Sequence, residues 1–338
     1  MRRHDQTRRS VPILAGSLTV SKFPADILNR IVLAHDGGRL HVILRLLGYV
    51  TSFFVILIIC AFPATLIASA FGWSDSTKNA VGAAFFMPVF LSWTYFYCSK
   101  IERRPWGVVG LARPLAGLPQ LALGFLLASS LLGLVFIIEY FLGWIHVVGE
   151  QPLTINLGRH LGYMAIGLIS NAGAGFCEEA AFRGYVFQNL GHCLPLWLTV
   201  ALSSLLFAII LHMNRADFTL VFVIYGALLG CLLAFFRLGT QAIWFGIGMH
   251  WSWDWSQNYL FGFGANGVSL IHVQRRAPDL MAGNLIISGD IILQIIIIII
   301  LAVSMLAWLH LKYQLDWRAR LGGGWSAIPL QCSGPRRN

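Results

Sequence analysis

Long apolar stretches alternate with short polar connections along most of the chain. Because a helix rises 1.5 Å per residue, about 20 apolar residues are enough to cross a hydrocarbon layer of about 30 Å. The last stretch contains six consecutive isoleucines. The stretches cover residues 46–70, 80–98, 117–142, 161–190, 195–212, 218–236, 241–260 and 286–310. This pattern predicts an all-α fold, a polytopic membrane bundle of about eight transmembrane helices.

The same pattern divides the chain into three parts. Residues 46–312 form one predicted membrane domain, and its polar motifs all fall within residues 161–260. Residues 1–45 form a basic N-terminal segment, and residues 313–338 form a basic C-terminal tail. No internal repeat interrupts the membrane domain, so we predict a single bundle.

Composition agrees with a membrane protein and excludes several other classes. Hydrophobic residues make up 57% of the chain and charged residues only 11%, whereas soluble domains carry roughly 25% charged residues. The net charge of +10 predicts contact with anionic lipid, because nucleic-acid binding would need a soluble basic domain. The six cysteines have no paired spacing, so neither a disulfide framework nor a thiolate metal site is predicted.

Lysine and arginine are distributed unevenly between the two ends of the predicted helices. With the N-terminus in the cytoplasm, 19 of these residues lie on the cytoplasmic side and five on the other. Cytoplasmic loops carry an excess of Lys and Arg, so both termini are predicted to be cytoplasmic. We expect the bacterial cytoplasmic membrane, with the endoplasmic reticulum as the alternative.

The fourth apolar stretch contains charged residues, which are costly inside a membrane and therefore indicate function. Glu179 and Arg183 stand at i and i+4, where the arginine can neutralise the carboxylate. Glu178 lies about 100° around the helix and is left for other work. We therefore expect Glu179 and Arg183 to be structural supports and Glu178 to do chemistry. Small residues just before them, at 172–175, favour close approach of another helix.

Two further stretches contain histidines. His212 ends the fifth stretch, and His250 lies within the seventh, four residues before Asp254. Residues at i and i+4 share one helix face, so His250 and Asp254 can face the same cavity. Rises of 1.5 Å per residue place these three residues and Glu178 at compatible depths near the middle of the membrane. The four are our candidate catalytic residues.

The order of these motifs on successive helices resembles the CPBP family. This family comprises type II CaaX prenyl endopeptidases and bacterial bacteriocin-processing and self-immunity relatives. The resemblance rests on Glu178-Glu179-x-x-x-Arg183, then a phenylalanine with His212, then His250-x-x-x-Asp254, and it covers about 105–312. The segment 110–114 also looks like the entry to that family's core.

The resemblance implies an intramembrane peptidase that needs no cofactor. Glu178 would be a general base that takes a proton from water, and His212 would hold the same water or share the proton. His250 would face the developing oxyanion with Asp254 beside it. The implied partners are a protein or peptide substrate, with or without a prenyl group, and the lipid bilayer.

Two departures from the family pattern and three alternatives accompany this interpretation. Four residues separate Phe207 from His212 where the family usually has three, and Asp254 replaces the usual asparagine. A helical bulge would restore the first geometry, and an ionised aspartate would repel an oxyanion. The same four candidate residues are plausible Zn²⁺ ligands. A membrane transporter or proton relay, or an inactive membrane scaffold, would also use buried Glu, His and Asp side chains.

Overall fold

The described residues are almost entirely helical, as the apolar pattern predicts. The computed structural model describes residues 42–112, 114–148, 153–212, 219–263, 269–276, 278–282 and 285–313. The basic segments outside 42–313, and with them most of the two predicted tails, lie outside the described residues. The all-α class is confirmed, with two short strand pairs added to it.

The described residues contain nine α-helices. They are α1 (Val42–Ala70), α2 (Asp75–Phe96), α3 (Pro114–Phe141), α4 (Leu153–Glu179), α5 (Phe187–Cys193), α6 (Leu196–His212), α7 (Leu220–Thr240), α8 (Trp244–Trp255) and α9 (Gly289–Tyr313). π-Helical turns follow α2 (Tyr97–Ile101) and α8 (Ser256–Leu260), and a 3₁₀ turn at Trp106–Val109 precedes α3. A third π turn (Ala180–Val186) joins α4 to α5 into one segment, so eight helical segments follow one another in the predicted order.

Five of the described helices, α1, α2, α3, α7 and α9, are long and apolar enough to cross a membrane. The chain is therefore an integral, multi-pass membrane protein. Helix α6 is apolar but has only 17 residues, while α4 and α8 carry the charged residues that interrupt the apolar pattern. Glu178, His250 and Asp254 thus lie on helices outside these five, and the count of eight spans stays a prediction.

Small residues allow α4 to pack closely between α2 and α8. A Cβ on Gly173 would lie 2.7 Å from the Cβ of Ala83 in α2. A Cβ on Gly175 would lie 3.2 Å from the backbone nitrogen of Trp251 in α8. An added Cβ would clash at Gly173 and be crowded at Gly175, so the helices approach closely here, as the small residues at 172–175 predict.

A buried polar network ties α1 and α2 to the π turn after α4. The Arg45 guanidinium donates to one Glu102 carboxylate oxygen, and the Tyr185 hydroxyl donates to the other. The ring of Tyr49 stacks on that of Tyr185 at 3.9 Å between centroids. All four side chains are buried, so this network holds one end of α4 in register with its neighbours.

The opposite end of the bundle carries two antiparallel strand pairs. They are β1 (Ile145–Val147) with β2 (Val273–Arg275), and β3 (Asp279–Ala282) with β4 (Leu285–Ser288). Arg275 of β2 pairs with Asp290 in the first turn of α9 at 2.6 Å. This ion pair fastens the strands to the helical bundle.

Candidate active site

The two glutamates are the last residues of α4, and the helix continues from them into a π turn. Arg183 lies in that turn and donates to Glu179 Oε1 at 2.8 Å. The same guanidinium donates to the backbone carbonyl of Gly230 in α7 at 3.3 Å. Glu179 and Arg183 are each 1% exposed. The pair expected from the i, i+4 spacing is therefore present, and it joins α4 to α7.

The imidazole of His250 lies between three carboxylates. Its Nδ1 is 3.3 Å from Glu179 Oε1. Its Nε2 is 3.5 Å from Glu178 Oε2 and 3.5 Å from Asp254 Oδ2. His250 is buried, while the side chains of Glu178 and Asp254 are 15% and 37% exposed. The structure thus brings three of the four candidate catalytic residues together.

Glu179 determines which imidazole nitrogen faces the exposed carboxylates. It is buried and already bound to Arg183, so it acts as an acceptor for a proton on Nδ1 of His250. In the neutral imidazole this assignment leaves Nε2 with its lone pair toward Glu178 and Asp254. Three carboxylates face one arginine and one histidine here. A second proton, shared between Nε2 of His250 and the carboxylate of Glu178 or Asp254, therefore reduces the excess negative charge.

Glu178 also lines a cavity of about 330 Å³. The cavity lies between α1, α2, α4 and α6, and its walls are mainly apolar. Phe53 and Leu57 contribute from α1, Phe86 from α2 and Ile210 from α6. A carboxylate at the edge of an apolar cavity can contact water and a peptide at the same time. This position separates Glu178 from Glu179, which is enclosed by protein.

Phe207 of α6 packs against the charged cluster. The Arg183 guanidinium lies 3.9 Å from the centroid of its ring, and the ring meets the His250 imidazole edge-on at 5.6 Å. All residues from Leu196 to His212 are regular α-helix, so the bulge that would restore the family spacing is absent there. His212 is the last residue of α6, and its side chain lies outside the described part of the structure.

Tryptophans of α8, which our sequence interpretation missed, hold this helix against α4. The indole N–H of Trp251 donates to the Leu168 carbonyl at 2.8 Å, and that of Trp255 donates to the Met164 carbonyl at 3.0 Å. The two indoles are four residues apart, so both lie on one face of α8. The i, i+4 spacing of these two tryptophans was the sequence signal that could have revealed this contact face. These bonds set the position of His250 relative to Glu178.

The zinc alternative requires at least three donor side chains around one point. No three His, Cys, Asp or Glu side chains among the described residues are arranged to hold a metal ion together. Glu178 and Asp254 both approach the nitrogen Nε2 of His250, each at 3.5 Å. The side chain of His212 lies outside the described residues, so zinc binding by the four candidate residues stays an alternative.

Comparison with known proteins supports the resemblance that the motifs suggested. Residues 160–256 match the family model described as type II CAAX prenyl endopeptidase Rce1-like. All six candidate residues of the site lie within this segment. The match confirms the CPBP resemblance, and at family level it supports an intramembrane endopeptidase with a peptide substrate. No curated protein and no solved structure matches the chain.

Proposed function

We propose that this relative of the type II CAAX prenyl endopeptidases hydrolyses a peptide bond inside the membrane with water activated by Glu178. One observation carries the proposal: Glu178 lies at the wall of an apolar cavity, 3.5 Å from the imidazole of His250. A base and a proton donor are thereby placed beside a space that a peptide can enter. The family match supports the same reaction class.

Glu178 is the general base in this mechanism. Its carboxylate takes a proton from water as the oxygen attacks the carbonyl carbon of the substrate, which produces a tetrahedral oxyanion. The C–N bond then breaks, and the same proton passes to the leaving amine. The products are a carboxylic acid end and a free amine end, and Glu178 returns to its carboxylate form.

His250 and Asp254 act on the oxyanion side. A protonated Nε2 of His250 donates a hydrogen bond to the developing negative charge. Asp254 lies beside that same nitrogen, so it assists when it carries a proton and opposes the reaction when it is ionised. His212 remains the candidate that holds the attacking water, since α6 ends at this residue close to the cavity wall at Ile210.

Glu179 and Arg183 position the imidazole rather than touch the substrate. Both side chains are buried, and Glu179 Oε1 contacts the guanidinium and Nδ1 of His250 together. A carboxylate that binds one imidazole nitrogen fixes the ring and directs the other nitrogen toward the reaction. The arginine in turn orients this carboxylate through a hydrogen bond to Oε1.

The decisive experiment is a cleavage assay on detergent-purified protein with quenched peptides, in prenylated and unprenylated pairs. We expect cleavage by the wild type and a loss of at least about a hundredfold in Glu178→Gln. Glu139→Gln is the matched control, because Glu139 is also a buried glutamate in an apolar helix and lies outside the site. The two members of each pair show whether the substrate carries a prenyl group.

Other results of this assay separate the alternatives. Activity that survives in Glu178→Gln would contradict the glutamate mechanism. Activity lost on dialysis against a chelator and restored by Zn²⁺ would favour the metal alternative. Proton uptake by proteoliposomes that depends on Glu178, without cleavage of any peptide, would favour a transporter or relay. If neither activity is found, the scaffold alternative remains.

A further inference from the structure

Helix α8, which carries His250, has two buried glycines near its start, Gly246 and Gly248. Glycine within a helix is destabilising relative to alanine, so each of these positions needs a physical reason. For Gly248 the reason is packing between helices. An added Cβ there would lie 2.0 Å from the backbone oxygen of Leu121 in α3. A side chain at position 248 would therefore push α8 away from α3.

The reason for Gly246 is different, because its nearest neighbours are atoms of a catalytic-site side chain. An added Cβ would lie 2.9 Å from Oε2 of Glu179 and 3.6 Å from the carboxylate carbon. The third nearest atom is a methyl carbon of Leu233, in ordinary contact at 3.8 Å. None of these three atoms belongs to a backbone. Gly246 therefore leaves space for the carboxylate of Glu179.

Glu179 lies across the face of α8 that Gly246 and His250 share. These two residues are one helical turn apart, with Oε2 of Glu179 at the first and Oε1 at the second. Close carbon–oxygen contacts are about 3.3–3.6 Å, so a methyl group at 246 would displace the carboxylate by about 0.5 Å. The contact of Oε1 with Nδ1 is already 3.3 Å, and a distance of about 3.6 Å is no longer a hydrogen bond.

We propose that Gly246 is a positioning residue that acts through Glu179 on the imidazole of His250. This proposal deepens the peptidase function proposed above and rests on it. Without the acceptor at Nδ1, the carboxylates of Glu178 and Asp254 are the acceptors that remain, so the proton of the neutral ring moves to Nε2. The doubly protonated ring loses its counter-ion at Nδ1. The oxyanion then receives a weaker, neutral donor.

The first test determines the tautomer of His250 and needs no substrate. Full-length protein with isotopically labelled histidine is studied in detergent by nitrogen NMR, and the signals of His250 are those that disappear in His250→Gln. We expect the neutral ring to carry its proton on Nδ1 in the wild type and on Nε2 in Gly246→Ala. A glycine that serves only packing would not change this signature.

Turnover and melting temperature provide the second test. In Gly246→Ala, kcat should fall about tenfold with little change in KM, because Gly246 is not among the described residues that line the cavity at Glu178. Gly162→Ala in α4 is the matched control, since no atom lies within 4 Å of its added Cβ, and it should leave activity and tautomer unchanged. Gly248→Ala is the control for packing. Its melting temperature should fall further than that of Gly246→Ala.

The results separate this proposal from the proposed function. A wild-type ring protonated on Nε2, or the same tautomer in Gly246→Ala as in the wild type, would overturn the positioning role. Equal falls in melting temperature for Gly246→Ala and Gly248→Ala, with activity lost only in step with folded protein, would assign both glycines to packing. If the wild type cleaves no peptide, the proposed function fails, while a changed tautomer in Gly246→Ala would still support its action on His250. An active wild type with an unchanged tautomer would leave only the peptidase function standing.

Discussion

At the scale of single residues, the two adjacent glutamates have different surroundings. Glu179 is enclosed and contacts both Arg183 and Nδ1 of His250, whereas Glu178 faces the cavity. The i, i+4 spacing predicts the first of these contacts. The contact with His250 joins residues 71 positions apart, so helical spacing does not predict it. Through this contact Glu179 orients the imidazole in addition to pairing with Arg183.

Substitution of the two glutamates should therefore affect activity and stability differently. Glu178→Gln should reduce turnover by at least about a hundredfold with little change in melting temperature. Glu179→Gln should lower stability by about 3–5 kcal/mol, because it leaves Arg183 buried without its counter-ion. Peptide cleavage and thermal unfolding in detergent measure the two effects. Equal losses of activity and of stability in both variants would contradict the division of labour.

Asp254 is the second residue whose environment leads to a prediction. Because Glu179 already holds Nδ1, Asp254 is not needed to select the tautomer of His250, and it lies on the Nε2 side. Asp254→Asn replaces a carboxylate with an amide donor, so activity should hold or rise. Cleavage rates from pH 5 to 9 provide the measurement. A loss of about a hundredfold at every pH, with the fold intact, would instead make Asp254 an orienter or a metal ligand.

At the scale of secondary structure, π turns adjoin both halves of the site. One begins directly after Glu179, and another begins two residues after Asp254. A π turn inserts one residue into a helix, so the side chains that follow turn to a different face, and such turns are frequent at functional sites. In the turn after α4, the inserted residue lets Arg183 face α7 while Tyr185 faces Glu102.

The close contact between α4 and α2 also leads to a prediction. Gly173 lines the cavity, and even a Cβ there would lie within 2.7 Å of Ala83. Gly173→Leu should destabilise the fold by about 1–3 kcal/mol through overpacking, and it should raise KM more than it lowers kcat because it narrows the cavity. Gly158→Leu on the same helix is the control, since no atom lies within 4 Å of its added Cβ. Unchanged KM in Gly173→Leu would show that substrate does not use this cavity.

At the scale of the whole molecule, charge divides between the two ends of the bundle. Arg45 and Glu102 meet at one end, and Arg237 donates to the Val108 carbonyl at that same end, between the chain entering α3 and the end of α7. Arg275 and Asp290 pair at the opposite end. Alternating helices therefore place the first set together, and which end of the bundle faces the cytoplasm stays a prediction.

Both termini are predicted to be cytoplasmic, since 19 of the 24 Lys and Arg residues then lie on the cytoplasmic side. Reporter fusions at the N-terminus and at the C-terminus should both give the cytoplasmic signal. A reporter inserted between β3 and β4, at the other end of the bundle, should give the opposite signal and serves as the control. Unlike signals at the two termini would imply an odd number of spans.

The sequence by itself determined the class of the fold, the order of the helices and the residues that gather at the site. The length of an apolar stretch controls membrane insertion, and the cost of burying charge singles out Glu178, Glu179, Arg183 and His250. Both signals lie within short stretches of sequence, so they can be recognised without the fold. Residues that act through neighbours on the same helix, such as Glu179 with Arg183, were predictable for the same reason.

Only the tertiary structure decided how those residues divide their work. The contact between Glu179 and His250, the placement of Phe207 beneath Arg183 and the cavity from Glu178 to Lys78 each join helices that are distant in sequence. The π turn after Glu179 also depends on tertiary contacts, because the bonds of Arg183 to α7 and of Tyr185 to Glu102 offset its cost. Helical periodicity describes one helix at a time, so it carries no information about which faces meet.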